Sequence, residues 1–211
     1  MEKRFRIALL KGHMHFGIHE YMRHKSEYIT ILRNPVDRVV SHYYYVLRNP
    51  KHYLYDTVQK YRMNLKEYVQ SGISVELDND QVRILAGHEN KNDFGNCSDQ
   101  LLETAKENVR RHFAVCGISE KFDKTILEIR RHLRWLSLPL YEKANVSVNR
   151  PTLNEISEET LDCIDKVNHL DRKLFEWAEI RFDCVNVPRI EINAFKMVNW
   201  YFQRLMQIRN T

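Results

Sequence analysis

Glycine and proline are scarce in this chain, 6 and 5 among 211 residues. That scarcity excludes long Pro/Gly linkers and implies mostly regular structure. No internal repeat and no low-complexity segment is present. No apolar run approaches the ~20 residues of a membrane-spanning helix. The opening MEKRFRIALLKGH has a basic start and a short apolar stretch, but lacks the longer apolar region and small-residue cleavage site of a secretory signal. No block of like charges reaches the length of a nucleic-acid-binding tail. None of the four cysteines, Cys97, Cys116, Cys163 and Cys184, stands in a C-x-x-C spacing. A zinc site is therefore not expected, and no metal is assigned. The thiols are expected to be free and buried, because a chain of this size does not need disulfides.

What remains is an ordinary globular composition, 43% hydrophobic and 29% charged, long enough to bury a core. The formal net charge of +5 is a mild bias toward anionic ligands.

Period and punctuation divide the chain. Residues 6–10 and 28–32 (YITIL) read as strands, and 113–117 (FAVCG) as a third. Asn34-Pro35 ends the second strand, and Val36, Val39, Val40, Tyr43, Tyr44 and Leu47 then recur at helical spacing until Asn49-Pro50. Asn64 with Glu67 forms a capping box, and Ser98 caps a helix running to about Arg111. Further helices are expected near 79–85, over 123–134, after Ser157, after Asn168 and over 192–208, with a loop over 138–151. In the last helix Phe195, Val198, Phe202, Leu205 and Met206 fall on one face, which is expected to pack on the domain or on another subunit. Strands alternating with helices mean an α/β domain with a mostly parallel sheet. Three strands make a thin sheet.

Ligands of open α/β sheets sit at the carboxyl ends of strands. Arg33 stands at such an end, where its planar fork either binds a phosphate or caps the loop. Ser41, further into the following helix, either adds a hydroxyl donor or fills space.

The spacing Arg-x-Pro-x-x-Arg-x-x-Ser-x-Tyr, here Arg33, Pro35, Arg38, Ser41 and Tyr43, resembles the 3′-phosphate motif of PAPS-dependent sulfotransferases. These enzymes use 3′-phosphoadenosine 5′-phosphosulfate (PAPS). The resemblance is to the carbohydrate branch that includes heparan sulfate uronyl sulfotransferases and bacterial relatives. KGHMHFGIHE, DNDQVRILAG (78–87), FAVCGISEKFD (113–123), NVSVNRP (145–151) and residues 168–182 are similar to further family segments in the family's order, so that the likeness covers residues 7–182.

The resemblance implies a P-loop-like three-layer fold, with residues 1–187 as the sulfotransferase domain and 188–211 as a helical extension. It implies PAPS as co-substrate and a hydroxyl-bearing acceptor, a glycan, with no nucleic acid. It assigns the nucleotide to Arg33 and Ser41, with Arg38 and Tyr43 holding the helix, and makes His13 the base that deprotonates the acceptor, with His15 and His19 as runners-up. The loop carrying Ser147, Asn149 and Arg150 would close on the 3′-phosphate. The family's first strand should end in a Lys/Gly/Ser/Thr loop that cradles the 5′-phosphosulfate, and nothing here matches it. Lys11-Gly12 is no substitute, since it lies on the acceptor-side element. Absence of the loop implies either a chain truncated at its N-terminus or a non-catalytic, sulfotransferase-like binding protein. The expected compartment is the cytoplasm for a bacterial protein and the Golgi lumen for an animal glycan enzyme with an upstream anchor. Oligomeric state is left open.

Overall fold

The computed structural model describes residues 9–87, 94–142 and 150–209. Among them the sheet has two parallel strands, β1 (Tyr28–Leu32) and β2 (Phe113–Ile118). They run in register from Tyr28 opposite Phe113 to Leu32 opposite Ile118, with one irregularity after Tyr28. The expected strand over 6–10 is not realised as far as it can be followed. Residues 6–8 lie outside the described residues, and Leu9 and Leu10 are exposed and in no strand. The architecture is thus α/β with a small parallel sheet and many helices.

Helix α1 (Pro35–Arg48) follows β1 directly. Asn34 starts it, its side chain accepting from the backbone N–H groups of Val36 and Asp37, and Pro35 occupies the first turn, where no N–H is needed. The short helices α2 (Tyr55–Lys60) and α3 (Leu65–Gln70) come next, the latter with the Asn64/Glu67 capping box expected from the sequence. Then come α4 (Asp80–Ala86) and α5 (Asp99–His112), the latter capped by Ser98. After β2 lie α6 (Phe122–His132), α7 (Glu158–Val167), α8 (His169–Asp183) and α9 (Arg189–Arg209).

Two apolar cores hold these elements. Leu32 and Ile118 of the sheet pack with Val82, Leu102, Leu174 and Phe182 of α4, α5 and α8. Val39, Val40 and Val46 of α1 pack with Tyr68 of α3, Leu77 and Ile164 of α7. A small third cluster joins Leu127 of α6 to Val187 and to Phe195 of α9.

Helices α4 and α8 cap each other. Asn79, in the left-handed region at φ 48°, lends its side-chain oxygen to the N–H groups of Leu170 and Asp171 at the start of α8. Asp171 returns the arrangement, accepting from Gln81 N–H (3.1 Å) and Val82 N–H (2.8 Å) at the start of α4. Each helix thereby satisfies donors that its own first turn leaves open. Asn168, expected to cap α8, does other work. It is fully buried, accepts from Asn79 N–H and donates to the carbonyls of Leu77 and Ile164.

Burial of the cysteines is uneven, against expectation: Cys184 is exposed and the other three are half-buried.

Candidate functional site

The carboxyl end of β1 opens onto a broad cleft whose walls include His13, His15, Arg33, Asp37, Ser41 and Arg150. Arg33 is fixed by its backbone. The Gln81 side chain of α4 accepts from Arg33 N–H and donates to Arg33 C=O, both at 2.9 Å. This amide takes the place of a neighbouring strand just where β1 runs out. The Asn34 N–H donates to Glu120 (2.8 Å), which ties the turn to the segment after β2.

The Arg33 side chain meets Asp37 one turn later, Nε donating to Oδ2 at 2.6 Å. Arg150, from the far side of the cleft, pairs with the other oxygen of the same carboxylate. Two guanidinium groups therefore share one carboxylate at the strand end. Ser41 lies one further turn along α1, half-buried on the same wall. Arg38 and Tyr43 hold the helix: Arg38 donates to the Glu76 carbonyl and pairs with Asp80, and Tyr43 donates to the Met63 carbonyl.

The histidines part company. His19 is absorbed by packing, its backbone N–H and Nδ1 both against the Tyr28 hydroxyl and its ring among Phe16, Tyr28 and His112. His13 is exposed on the cleft wall, and His15 is half-buried with its Nδ1 shut away from solvent and without a hydrogen-bond partner. Their segment is pinned at Phe16, whose N–H donates to Ile84 C=O (2.8 Å). Gly87 permits this approach, since a Cβ there would stand 2.8 Å from the Phe16 carbonyl oxygen. The Phe16 ring packs on Tyr28 and Phe113, the first residues of the two strands. Arg33 lies at the opposite end of a five-residue strand, a rise of roughly 16 Å.

The structure thus brings Arg33 and Arg150 together, places Ser41 one helical turn beyond their shared carboxylate, and sets His13 in the same cleft. Ser147 and Asn149 lie outside the described residues. Asp37 and Gln81 were not singled out from the sequence. Asp37 had a signal, a carboxylate four residues after an arginine at a helix start; Gln81 stood in the family-like segment 78–87, but its partner, 48 residues away, was not legible.

This geometry can hold an anion that offers several oxygens to two forks and a hydroxyl. A family model for galactose-3-O-sulfotransferases matches residues 1–185. The chain belongs to that family. A curated relative, a heparin sulfate O-sulfotransferase of Drosophila melanogaster, is 27% identical over 195 residues, which cover 83% of this chain and 54% of the relative. The chain spans about half the length of that relative. Members of the family are carbohydrate sulfotransferases by name, and the paired arginines, Ser41 and the two cleft histidines all lie within the matched residues.

Proposed function

We propose that this chain is the nucleotide-binding and acceptor-facing part of a PAPS-dependent carbohydrate sulfotransferase with a P-loop-like three-layer fold. Residues 1–187 carry the activity, and 188–211 form a helical extension. The observation that carries the reading is the convergence of Arg33 and Arg150, 117 positions apart, on a single carboxylate at the carboxyl end of β1. Arg33, Arg150 and Ser41 hold the 3′-phosphate of PAPS, and Ser147 and Asn149, close to Arg150 in the sequence, are assigned to the same phosphate. The fit is chemical: a dianion matches two planar forks better than a lone carboxylate does.

In the reaction the acceptor oxygen forms a bond to sulfur as the bond from sulfur to the 5′-phosphate oxygen breaks. The acceptor gains a sulfate ester and 3′,5′-adenosine bisphosphate departs. His13 takes the proton released by the hydroxyl. His15, two residues on and lining the same cleft, is the second candidate. Positioning and charge supply the rest of the rate, as in phosphoryl transfer. Lys11, Arg23 and Lys25 also line the cleft, which suits an anionic glycan acceptor.

The test is calorimetric titration with 3′,5′-adenosine bisphosphate and, in parallel, 5′-AMP, for the parent chain and Arg33→Ala. Preference for the bisphosphate by the parent and its loss in Arg33→Ala support the reading. Equal binding of both nucleotides, or indifference to Arg33→Ala in a folded protein, rejects the 3′-phosphate assignment.

A further inference from the structure

Beyond Ser41, α1 leads to a second group of side chains on the wall of the same cleft: Tyr45, His52, Tyr53, Ser74 and Glu76. Tyr45 comes eight residues after Asp37. That is roughly 12 Å along the helix axis, so the group stands clear of the arginine pair. The His52 ring stacks on Tyr53, centroids 4.7 Å apart and planes 28° apart, and meets Tyr45 edge-on at 5.6 Å. Their polar ends are tied back. The Tyr45 hydroxyl accepts from the Asn49 side chain (3.0 Å), His52 Nδ1 accepts from Leu54 N–H (3.3 Å), and the Tyr53 hydroxyl lies 2.9 Å from Ser74 Oγ. Leu54, buried with Val40 and Val46 of α1, anchors the turn that carries His52 and Tyr53. Tyr45 and Tyr53 nonetheless remain 42% and 64% exposed. Rings fixed in this way with a face in water are preorganised for a ligand, since binding orders little that is not already ordered.

Glu76 gives this surface an acidic edge. Its Oε2 accepts from His42 Nε2 at 3.1 Å, while His42 Nδ1 faces the hydroxyl of buried Tyr68 at 3.1 Å. The hydrogen bond from His42, helped by the Tyr53 hydroxyl, holds the Glu76 carboxyl below its usual 4.5 against the effect of burial. The Glu76 side chain is still 41% exposed, so its carboxylate has acceptor capacity left for hydroxyl donors. Arg48, a cation on the same wall, donates through Nε to the Tyr44 carbonyl. Aromatic faces beside a carboxylate match a sugar ring, which offers an apolar C–H face and a rim of hydroxyl donors. A uronate or sulfate at this point would meet a like charge.

We propose that Tyr45, His52 and Tyr53 form a stacking platform for an uncharged pyranose unit of the acceptor glycan, with Glu76 accepting from its hydroxyls. The assignment rests on the acceptor-facing reading of the cleft given above and adds to it a subsite that selects the acceptor. Lys11, Arg23 and Lys25 suit a charged unit of the glycan, and the platform suits an uncharged one.

Saturation-transfer NMR of the full chain with methyl β-D-galactopyranoside and, separately, methyl β-D-galacturonide tests this, with 3′,5′-adenosine bisphosphate titrated into the same preparations. The two sugars differ by one carboxylate. The expected result is binding of the galactoside by the parent and weaker binding of the galacturonide. Tyr53→Ala and Tyr45→Ala should each weaken the galactoside by about 5-fold or more, the effect of truncating an aromatic anchor. Tyr53→Phe, which keeps the ring, and Tyr61→Ala, at an exposed tyrosine that does not line the cleft, should leave it unchanged. Nucleotide binding should be the same in all of them. Because Tyr45 and Tyr53 are both substantially exposed, either alanine variant suffices should the other fold poorly. No galactoside signal from the parent at about 20 mM sugar overturns the proposal, as that excludes even millimolar affinity. So does galacturonide binding as tight as the galactoside, or galactoside binding unchanged in a folded alanine variant. Loss of nucleotide binding by the parent with the platform result intact would instead strike the PAPS assignment and leave the sugar subsite standing.

Discussion

Replacing Asp171 by asparagine should remove a pH response of stability that runs opposite to that of most carboxylates. The Asp171 side chain is fully buried, and burial pushes its carboxyl from the usual 3.8 up to about 6, against the opposing effects of Arg38 and of the Val82 and Gln81 N–H groups. The folded protein therefore holds this proton more tightly than the unfolded chain. Its contribution to stability is fullest below about pH 4, falls as pH rises toward 6, and stays low above that. A rise of about two pH units corresponds to about 3 kcal/mol lost across that window.

Asparagine does not titrate. It accepts through one oxygen only, so either Gln81 or Val82 N–H faces an amide NH2, at a cost of about 1–3 kcal/mol. The variant should be less stable than the parent at pH 4.5 by that amount, and the gap should close or reverse by pH 7.5. Urea unfolding at intervals of half a pH unit, followed by circular dichroism, gives both curves. A difference between parent and variant that stays constant from pH 4.5 to 7.5 would refute the reasoning, since it would mean that the buried carboxyl titrates like an exposed one.

Other perturbations probe the site and the packing. Arg150→Ala removes one of the two forks and should weaken 3′,5′-adenosine bisphosphate binding by about 10-fold or more, an effect of ~1.5–3 kcal/mol for a charge-assisted bond, read by calorimetry. Gly117→Ala would press a methyl into Thr125, whose hydroxyl is already held by both the N–H and C=O of Ile118. It should cost about 2–3 kcal/mol and show as a lowered melting temperature. Among the cysteines, exposed Cys184 should react first with a thiol reagent. Cys116, whose thiol burial raises to about 12, should react only on unfolding; equal rates for the two would contradict the packing.

Much of this fold is local, and local features are legible in a sequence. The Asn64/Glu67 box, the Ser98 cap, the Asn34-Pro35 start of α1 and the apolar strands 28–32 and 113–117 all follow from residues within four positions of each other. Helix α2 escaped because Leu54 precedes it with no side-chain cap, and six residues are too few for a period to declare itself. Asn168 looked like a cap because capping residues are recognised by type, whereas its actual partners are Asn79 and Leu77, about 90 positions away. The same limit applies at the site. Arg33 and Ser41 stand in one motif and could be named, but that one carboxylate, Asp37, joins Arg33 to Arg150 is a fact about two segments 113 residues apart. On α9 the period revealed an apolar face, but only the packing of α6 shows that Phe195 is buried and Leu205 is not.

The mutual capping of α4 and α8 also orders events in time. Asn79 and Asp171 meet across 92 positions, so α4 cannot receive its cap until the chain through α8 has been made. At about 5–20 residues per second that is a delay of several seconds during synthesis. Gln81 sits in the first turn of α4 and is the residue that grips the Arg33 backbone. The Arg33 end of β1 thus becomes rigid only once α8 has been made, well after Arg33 itself.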